Sequence, residues 1–305
     1  MKLNNIDTIE IHYEITSQCP LSCKHCSSES SYRNTNKADL GNYLKLLKIL
    51  SKKNDIISIF TGGEPLIHGS QFICESLKKV NKIENIKLGL FTSGCSTANN
   101  HIYPVTKEYA NELKESGLDF VYMSIYSHKP EIHDQITGTL GSFNASLKSI
   151  YNFIGAGVTV NAHLVLLSNN VTDIKETIQY LIELGIKEVR LLRLVKHGRA
   201  KDNWNEIGMS REEQADIVKS ICGSNQFNRS VTVSGFLEIQ NCLSFKKSNK
   251  CYAGINKLYI DKDGYVYGCA CKKKIELFRL TNIKDIDTNF RLQRINSLDM
   301  CMQDL

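Results

Sequence analysis

The chain has 305 residues, 42% of them hydrophobic, and a formal net charge of +6 at pH 7. That length accommodates one large domain of about 200 to 250 residues and a small second one. The positive charge is spread along the chain, so composition gives no reason to expect a nucleic-acid partner. No apolar stretch reaches the roughly 18 residues that a membrane-spanning helix needs, so we expect no membrane partner either.

The sequence contains 11 cysteines, and its N-terminus is polar with no charged-then-apolar signal segment. These two features predict reduced thiols and metal ligands in a cytoplasmic protein rather than disulfide bonds. The one tight basic run, residues 272–274, is predicted to be a solvated turn.

Strands and helices alternate along the first 200 residues. Residues 9–15 alternate apolar and polar side chains, which predicts a strand, and leucines at helical spacing follow in residues 40–50. Further strands are predicted at 56–60, 87–92, 120–126, 158–167 and 188–195, and further helices at 72–80, 107–116, 143–154 and around 174–181. Six strand–helix units are too few for a closed eight-fold barrel. The sequence therefore predicts an α/β fold, a partial, open (β/α)6 TIM-like barrel.

The polar stretch 196–208 is predicted to be irregular, and Ser210 with Glu213 forms a capping box that opens a last helix. Beyond residue 231 the helical periodicity fades, and five of the 11 cysteines lie between 242 and 301. We therefore predict a barrel domain at 1–230 and a small α+β domain at 231–305. Asp263-Gly264 between alternating apolar residues predicts a β-hairpin in that second domain.

Three cysteines, Cys19, Cys23 and Cys26, have the spacing C-x3-C-x2-C directly after the first predicted strand. Three thiols are one fewer than a closed tetrahedral zinc site takes. A [4Fe–4S] cluster held by three thiolates keeps one iron open for an exogenous ligand. Spacing favours the cluster, while zinc with a distant fourth ligand and purely structural thiols stay open as alternatives. Other polar or glycine-containing segments also follow predicted strands, at 62–65, 93–94, 124–126 and 195–199, so one shared site is expected at the strand ends.

The three-cysteine spacing, with His25 before the last cysteine, resembles the signature of the radical S-adenosylmethionine (SAM) superfamily. Residues 61–65, Thr-Gly-Gly-Glu-Pro, resemble the family's loop for the methionine amino group. The resemblance runs from about residue 8 to 200. It implies a [4Fe–4S] cluster on Cys19, Cys23 and Cys26, with SAM on the open iron and an electron donor such as flavodoxin or ferredoxin. Reduction then cleaves SAM to a 5′-deoxyadenosyl radical.

The resemblance also implies a set of SAM contacts. His25 is placed to stack on adenine, the two glycines allow close backbone approach to a ligand, and Glu64 can accept from an amine or fix the loop. A solvent-facing loop histidine, an ion pair for Arg193 and core packing for Val195 are the alternatives. Thr137 stands where the family commonly has arginine, which leaves that contact in doubt. The implied SAM-binding residues are His25, Gly62, Gly63, Glu64, Pro65, Ser124, Asn161, Arg193 and Val195.

The spacing of Cys251 and Cys269 around the predicted hairpin resembles the auxiliary-cluster modules called SPASM or twitch domains. The number of cysteines suits one auxiliary [4Fe–4S] cluster, held by these two and by two of Cys242, Cys271 and Cys301, with Cys301 favoured. A zinc ribbon or an unmetallated hairpin is the alternative. Two further thiols, Cys95 and Cys222, are candidate hydrogen-atom donors to a substrate radical, or bystanders.

The resemblance implies a peptide-modifying radical SAM enzyme, a maturase of ribosomally made peptides that epimerises or forms thioether or carbon–carbon crosslinks. One alternative is a small-molecule dehydrogenase or rearrangement enzyme of the twitch type, and another is a non-enzymatic, metal-stabilised binding protein. The substrate is expected between the two cysteine groups, touching residues 196–204. Arg199 and Lys201 in that stretch would suit an acidic partner, unless the stretch is a solvated linker.

Overall fold

The computed structural model describes residues 8–35, 37–98, 101–224, 227, 230–236 and 253–287. Its strands are β1 (Thr8–Thr16), β2 (Asp55–Gly62), β3 (Ile86–Thr92), β4 (Cys95–Ala98), β5 (His101–Pro104), β6 (Phe120–Ser124), β7 (Thr159–Val165), β8 (Val189–Leu192), β9 (Val231–Ser234), β10 (Lys257–Ile260), β11 (Tyr265–Tyr267) and β12 (Arg279–Asn282). Its α-helices are α1 (Leu40–Leu50), α2 (Gly69–Asn81), α3 (Lys107–Glu115), α4 (Pro130–Thr137), α5 (Ser142–Gly155), α6 (Ile174–Glu183), α7 (Arg199–Asp202), α8 (Trp204–Ile207) and α9 (Arg211–Cys222). Short 3₁₀ turns occur at Pro65–His68, Val171–Asp173, Ala270–Lys272, Glu276–Phe278 and Ile283–Asp285.

Ten of these strands form one sheet in the order β12-β11-β10-β1-β2-β3-β6-β7-β8-β9. Every neighbouring pair from β1 to β9 is parallel. Within the described residues β12 and β9 form the two edges, so the sheet does not close. The predicted partial barrel is confirmed. A seventh parallel strand, β9, was missed because four residues after a loop carry too short a pattern to read.

The C-terminal hairpin continues the barrel sheet. β10 pairs antiparallel with β11, as predicted, and also parallel with β1, where Glu10 lies opposite Lys257. At the turn, the carboxylate of Asp261 accepts from the backbone N–H of Asp263 and Tyr265 at 3.0 and 2.9 Å. The hairpin thereby covers what would be an exposed edge of β1. The division into domains at residue 230 stays a prediction.

The two faces of β1 have different surroundings. Ile11 and Tyr13 are buried in the core beneath the helices, and the ring of Tyr13 stacks on Tyr43 at 4.1 Å. On the opposite face, the ring of His12 contacts Phe91 of β3 at 4.7 Å, and Phe91 contacts His163 of β7 at 4.5 Å. Three strands separate β1 from β7 in the sheet, so this chain of ring contacts requires the sheet to curve around a shared interior.

Several local predictions need correction. Helix α4 and the hairpin β4–β5 lie between the predicted elements, and α7 and α8 form two single helical turns in the stretch predicted to be irregular. The basic run at 272–274 is not a solvated turn, since Lys272 and Lys273 are 4% and 2% exposed. Within the described part of the chain, no helix is both long and apolar enough to cross a membrane.

Candidate functional site

The three cysteines lie in a loop that leaves the C-terminal end of β1; residues 17–31 are called the cysteine loop below. The backbone N–H of Cys19 donates to Ser31 O at 3.2 Å, which closes the base of the loop. A turn follows, in which the N–H of Cys26 donates to Cys23 O at 3.3 Å. All three thiols are partly buried. Three neighbouring segments hold this loop in place.

The first segment is the end of β2. The N–H of Gly63 donates to Thr16 O at 2.8 Å, and that of Glu64 donates to Gln18 O at 2.7 Å. A Cβ on Gly63 would lie 2.1 Å from Gln18 O, and one on Gly62, whose φ is +121°, would lie 2.1 Å from Thr16 O. The predicted close backbone approach is therefore made to the entry of the cysteine loop. Contact of the two glycines with SAM stays a prediction.

Glu64 acts within the protein to fix the same strand ends. Its buried carboxylate accepts from Thr92 Oγ1 at 2.5 Å, from Ser93 Oγ at 2.6 Å and from the backbone N–H of Ser93 at 2.7 Å. It also accepts from the N–H of Leu66, one residue beyond Pro65, at 3.2 Å. Burial raises the pKa of the Glu64 carboxyl, and these hydrogen bonds oppose that rise. Glu64 was predicted either to accept from an amine or to fix the loop, and these contacts fix the loop.

The second segment is the C-terminal end of α4. Its carbonyls Thr137 O and Ile136 O accept from the N–H of Ser22 at 3.0 Å and of Lys24 at 3.2 Å. Thr137 itself is fully buried and its hydroxyl bonds to Ser142 at 2.7 Å. The residue that replaces the family's common arginine therefore supports the cysteine loop through its backbone.

The third segment begins at Arg199 on α7. Its guanidinium donates to Cys23 O at 2.8 Å and to Ser30 O at 2.6 Å, and its backbone N–H donates to Cys26 O at 3.1 Å. A Cβ on the preceding Gly198 would lie 2.6 Å from Cys26 O. These contacts correct the expectation that Arg199 faces an acidic substrate, because its Nε and Nη1 both donate to carbonyls of the cysteine loop.

We predict that Arg199→Ala loosens the cysteine loop. Removing the two guanidinium hydrogen bonds takes the side-chain donor from Ser30 O and leaves Cys23 O with the longer bond from Cys26 N–H, at a cost of about 2 kcal/mol of unfolding free energy. Iron content after reconstitution and SAM cleavage without substrate should both fall several-fold. Lys201→Ala is the matched control, because Lys201 is an exposed cation on the same helical turn. Intact SAM cleavage in Arg199→Ala would contradict a loop-fixing role, and an equal loss in Lys201→Ala would point to general destabilisation.

His25 lies between two cysteines, with its ring at 4.6 Å from Tyr126 in an edge-on contact. Burial lowers the pKa of His25 to about 4, so the imidazole is neutral at pH 7. Its Nδ1 is buried without a hydrogen-bond partner among the described residues. An unpaired buried nitrogen is costly in a folded protein, so this nitrogen is available for a hydrogen bond to a bound group. The predicted stacking of His25 on adenine is consistent with this observation and stays a prediction.

The remaining predicted SAM contacts follow or occupy the later strands. Ser124 is the last residue of β6 and lies opposite His163 of β7. Asn161 is 7% exposed in the middle of β7 rather than at its end. The backbone N–H of Arg193 donates to Ser234 O at 3.2 Å beside β9, and Val195 is partly buried. Their roles toward SAM stay predictions.

Both candidate donor thiols are buried. Cys95 is fully buried, and its Sγ lies 3.5 Å from Ser146 Oγ and 3.6 Å from Ser142 O. Burial raises the pKa of Cys95 to about 12. It belongs to a small buried cluster against which Cys19 and Cys23 pack, rather than lying at a pocket mouth. Cys222 is the last residue of α9 and lies in the main core. Hydrogen-atom donation by either thiol stays a prediction.

Of the five predicted auxiliary ligands, Cys269 and Cys271 lie on a turn that follows β11. Cys242, Cys251 and Cys301 lie outside the described residues. Hydrogen bonding from Cys271 lowers the pKa of the Cys269 thiol to about 6, which favours the thiolate form that binds metals.

The three thiols of the cysteine loop fit the ligand set of a [4Fe–4S] cluster. No three His, Cys, Asp or Glu side chains in the described ranges are arranged to hold one metal ion. A four-iron cluster takes its thiolates on separate irons, so they need not converge on one point. Burial raises the pKa of Cys23 to about 12, against which the Arg199 cation acts. Metal coordination is what would keep such a thiol deprotonated.

Comparison with known proteins agrees with this geometry. The model of the radical SAM superfamily matches residues 13–181, which is more than half of the chain. The chain belongs to the radical SAM superfamily. The family implies SAM and a [4Fe–4S] cluster, and the assignment of that cluster to Cys19, Cys23 and Cys26 stays a prediction.

Two curated relatives differ in how much of the chain they match. The probable GTP 3′,8-cyclase of Methanococcus aeolicus is 27% identical over 190 residues, which cover 60% of this chain and 59% of that protein. The PqqA peptide cyclase of Ruegeria pomeroyi is 22% identical over 263 residues, which cover 86% of this chain and 67% of that protein. The chain thus spans 59% to 67% of the length of these two relatives.

A solved structure shows the same fold. Streptococcus suis SuiB bound to S-adenosylmethionine matches this radical SAM chain with a TM-score of 0.70 and 13% sequence identity. The match covers 97% of this chain and 68% of that one, so the shared architecture extends beyond the partial barrel.

Proposed function

We propose that this protein is a radical SAM enzyme that generates a 5′-deoxyadenosyl radical and uses it to modify a peptide. The modification would be an epimerisation or a thioether or carbon–carbon crosslink in a ribosomally made peptide. The observation that carries the proposal is the cysteine loop, whose three thiols are held at the strand ends by β2, α4 and Arg199. Such a preformed loop is suited to a cluster with an open coordination position.

In this proposal Cys19, Cys23 and Cys26 hold the [4Fe–4S] cluster. When bound and reduced, the cluster supplies the electron that cleaves SAM, and a flavodoxin or ferredoxin is the proposed donor. The protein's own contribution is positional. Arg199 and the end of α4 fix the loop backbone, and the neutral ring of His25 presents an unpaired nitrogen and an aromatic face beside the thiols.

The extent of the matches favours a peptide substrate. An alignment of 263 residues in a chain of 305 must extend beyond residue 230, and it is made with a protein named a peptide cyclase. The C-terminal region is therefore shared with that relative as well as the barrel. The relative named a GTP cyclase supports the second candidate, radical chemistry on a small molecule. Its match of 190 residues is no longer than the predicted barrel domain, so it need not include the C-terminal region.

We further propose one auxiliary [4Fe–4S] cluster on Cys251, Cys269 and two of Cys242, Cys271 and Cys301. What supports it is the turn after β11, which carries Cys269 and Cys271 next to strands that join the barrel sheet at β1. That sheet pairing connects the second group of cysteines to the strand that leads into the cysteine loop. A substrate between the two groups would be reached from both sides.

The proposal is tested by anaerobic incubation with SAM, a reductant and any short peptide found to be encoded beside this gene, followed by mass spectrometry. The wild-type protein should bind about eight irons and change the peptide mass. Cys251→Ala with Cys269→Ala should lose about half of the iron, keep substrate-free SAM cleavage detectable and form no product. Circular dichroism checks folding, since metal binding and folding are coupled. One or two zinc ions instead of iron would indicate a non-enzymatic binding protein. SAM cleavage that no peptide stimulates would favour a small-molecule substrate.

A further inference from the structure

A buried ion pair joins the turn after Cys271 to the strand that leads into the cysteine loop. The Nζ of Lys273 lies 2.9 Å from the carboxylate of Glu14 on β1. The two side chains are 2% and 8% exposed, so neither charge is solvated. Lysine is almost never fully buried unless it is paired, which makes this contact a specific feature of the fold.

The same pair reaches the cysteine loop itself. Lys273 also donates to the hydroxyl of Ser28, which lies two residues after Cys26. Ser28 in turn donates to the Glu14 carboxylate at 3.3 Å, and the Tyr259 hydroxyl donates to the same carboxylate. Donors from the loop, from β10 and from the turn after Cys271 therefore meet on one buried carboxylate.

The backbone next to this contact adopts an uncommon conformation on both sides. Glu29 and Lys274 have φ values of +50° and +65°, in the left-handed region that non-glycine residues rarely adopt. Each is the neighbour of a residue in the buried contact, and the two form an exposed ion pair of their own at 2.8 Å. Strained φ angles of this kind persist only where surrounding contacts hold them in place. The buried contact of Lys273 with Glu14 and Ser28 is therefore what holds the backbone of Glu29 and Lys274 in this conformation.

We propose that Lys273 is a positioning residue for the cysteine loop. Through Lys273, the turn that carries Cys269 and Cys271 determines how firmly the loop is held. If the proposed function holds, this means that metal binding by the cysteines of this turn stabilises the cluster in the cysteine loop. The turn is short, since the N–H of Lys273 donates to Ala270 O at 3.3 Å, so an ordered Cys269–Cys271 segment places Lys273 directly. Coupling of this kind is reciprocal between the two sites.

The first test uses hydrogen exchange on the metal-free full-length protein, so it does not depend on any cluster. In Lys273→Met, the amides of Cys26 and Glu29 should exchange at least tenfold faster than in the wild type, while core amides of β6 and β7 keep their rates. Lys274→Met is the matched control, because it removes the neighbouring exposed cation. Unchanged exchange in the cysteine loop of Lys273→Met, or equal acceleration in Lys274→Met, would overturn the proposal.

A charge-cancelling variant separates the pair from simple loss of packing. Glu14→Gln with Lys273→Met leaves no isolated buried charge. The amides of the cysteine loop should therefore exchange more slowly in the double variant than multiplying the rate increases of the two single variants would predict. Strictly multiplicative effects would show that the two residues act independently, which contradicts the proposal.

The second test follows the first cluster after reconstitution. Lys273→Met should weaken the change that SAM produces in the electron paramagnetic resonance spectrum of the reduced cluster. Cys269→Ala with Cys271→Ala should do the same, and adding Lys273→Met to that pair should cause no further loss. Additive losses would overturn the coupling. A wild-type protein that forms no cluster would refute the proposed function, and the exchange experiment would then decide the inference on Lys273 by itself.

Discussion

Cys23→Ala is expected to abolish both the first cluster and SAM cleavage. Two thiolates remain in the cysteine loop, which is too few to hold a four-iron cluster that keeps one iron open. The loop should keep its place without the thiol, because Cys23 is held through its backbone: its carbonyl accepts from Arg199 at 2.8 Å and from the N–H of Cys26 at 3.3 Å. The loss is therefore expected from the missing ligand rather than from a misplaced loop.

The measurements are iron and sulfide content after anaerobic reconstitution and the yield of 5′-deoxyadenosine under reductant. Iron should fall by about four per chain, and 5′-deoxyadenosine should not be detected. Cys74→Ala is the matched control, since Cys74 is a buried core cysteine on α2 with no place in the site. That variant should lose a little stability and keep full cleavage. Unimpaired cleavage in Cys23→Ala would refute the assignment of the cluster to this loop.

Gly63→Ala is expected to disrupt the same loop through backbone contact alone. The added Cβ would lie 2.1 Å from Gln18 O, 2.6 Å from Gln18 C and 2.9 Å from Ser17 C. These are backbone atoms, so no side-chain rotation can relieve the overlap. The hydrogen bond from Glu64 N to Gln18 O, at 2.7 Å, must lengthen or break. Overpacking and the lost bond together should reduce the free energy of unfolding by about 3 kcal/mol.

Urea unfolding and iron content after reconstitution report the two consequences of Gly63→Ala separately. Cluster loading and substrate-free SAM cleavage should fall at least tenfold. Gly155→Ala is the control, because a Cβ at that helical position on α5 meets no atom within 4 Å. It should be neutral or raise stability by about 0.5 kcal/mol. Wild-type cluster loading in Gly63→Ala would show that the loop tolerates a different path past β2.

Local patterns predicted the scaffold of the site well. The alternation in residues 9–15 is a property of one strand, and the C-x3-C-x2-C spacing is confined to eight residues. The repeated strand–helix order indicated the parallel sheet, and the sheet placed the polar segments at common strand ends. Such features depend only on near neighbours in the chain, so they can be read without knowing the fold.

The support of the cysteine loop could not be read in this way. Arg199 and Cys23 are 176 positions apart, and Lys273 and Glu14 are 259 apart. From the sequence, Arg199 was predicted to face the substrate, and Lys273 was predicted to lie in a solvated basic turn. Only their tertiary neighbours, two loop carbonyls and a buried carboxylate, give these side chains their roles.

Gly62 and Gly63 show what a local sequence pattern can predict and what depends on tertiary contacts. The sequence by itself predicted that the backbone at Gly62 and Gly63 can approach a partner closely, because both residues lack a Cβ. The tertiary structure decided that the partner is the backbone of residues 16–18. The physical reason is that conformational freedom is a property of the residue, whereas the identity of a contacting atom depends on which distant segments the folded sheet brings together.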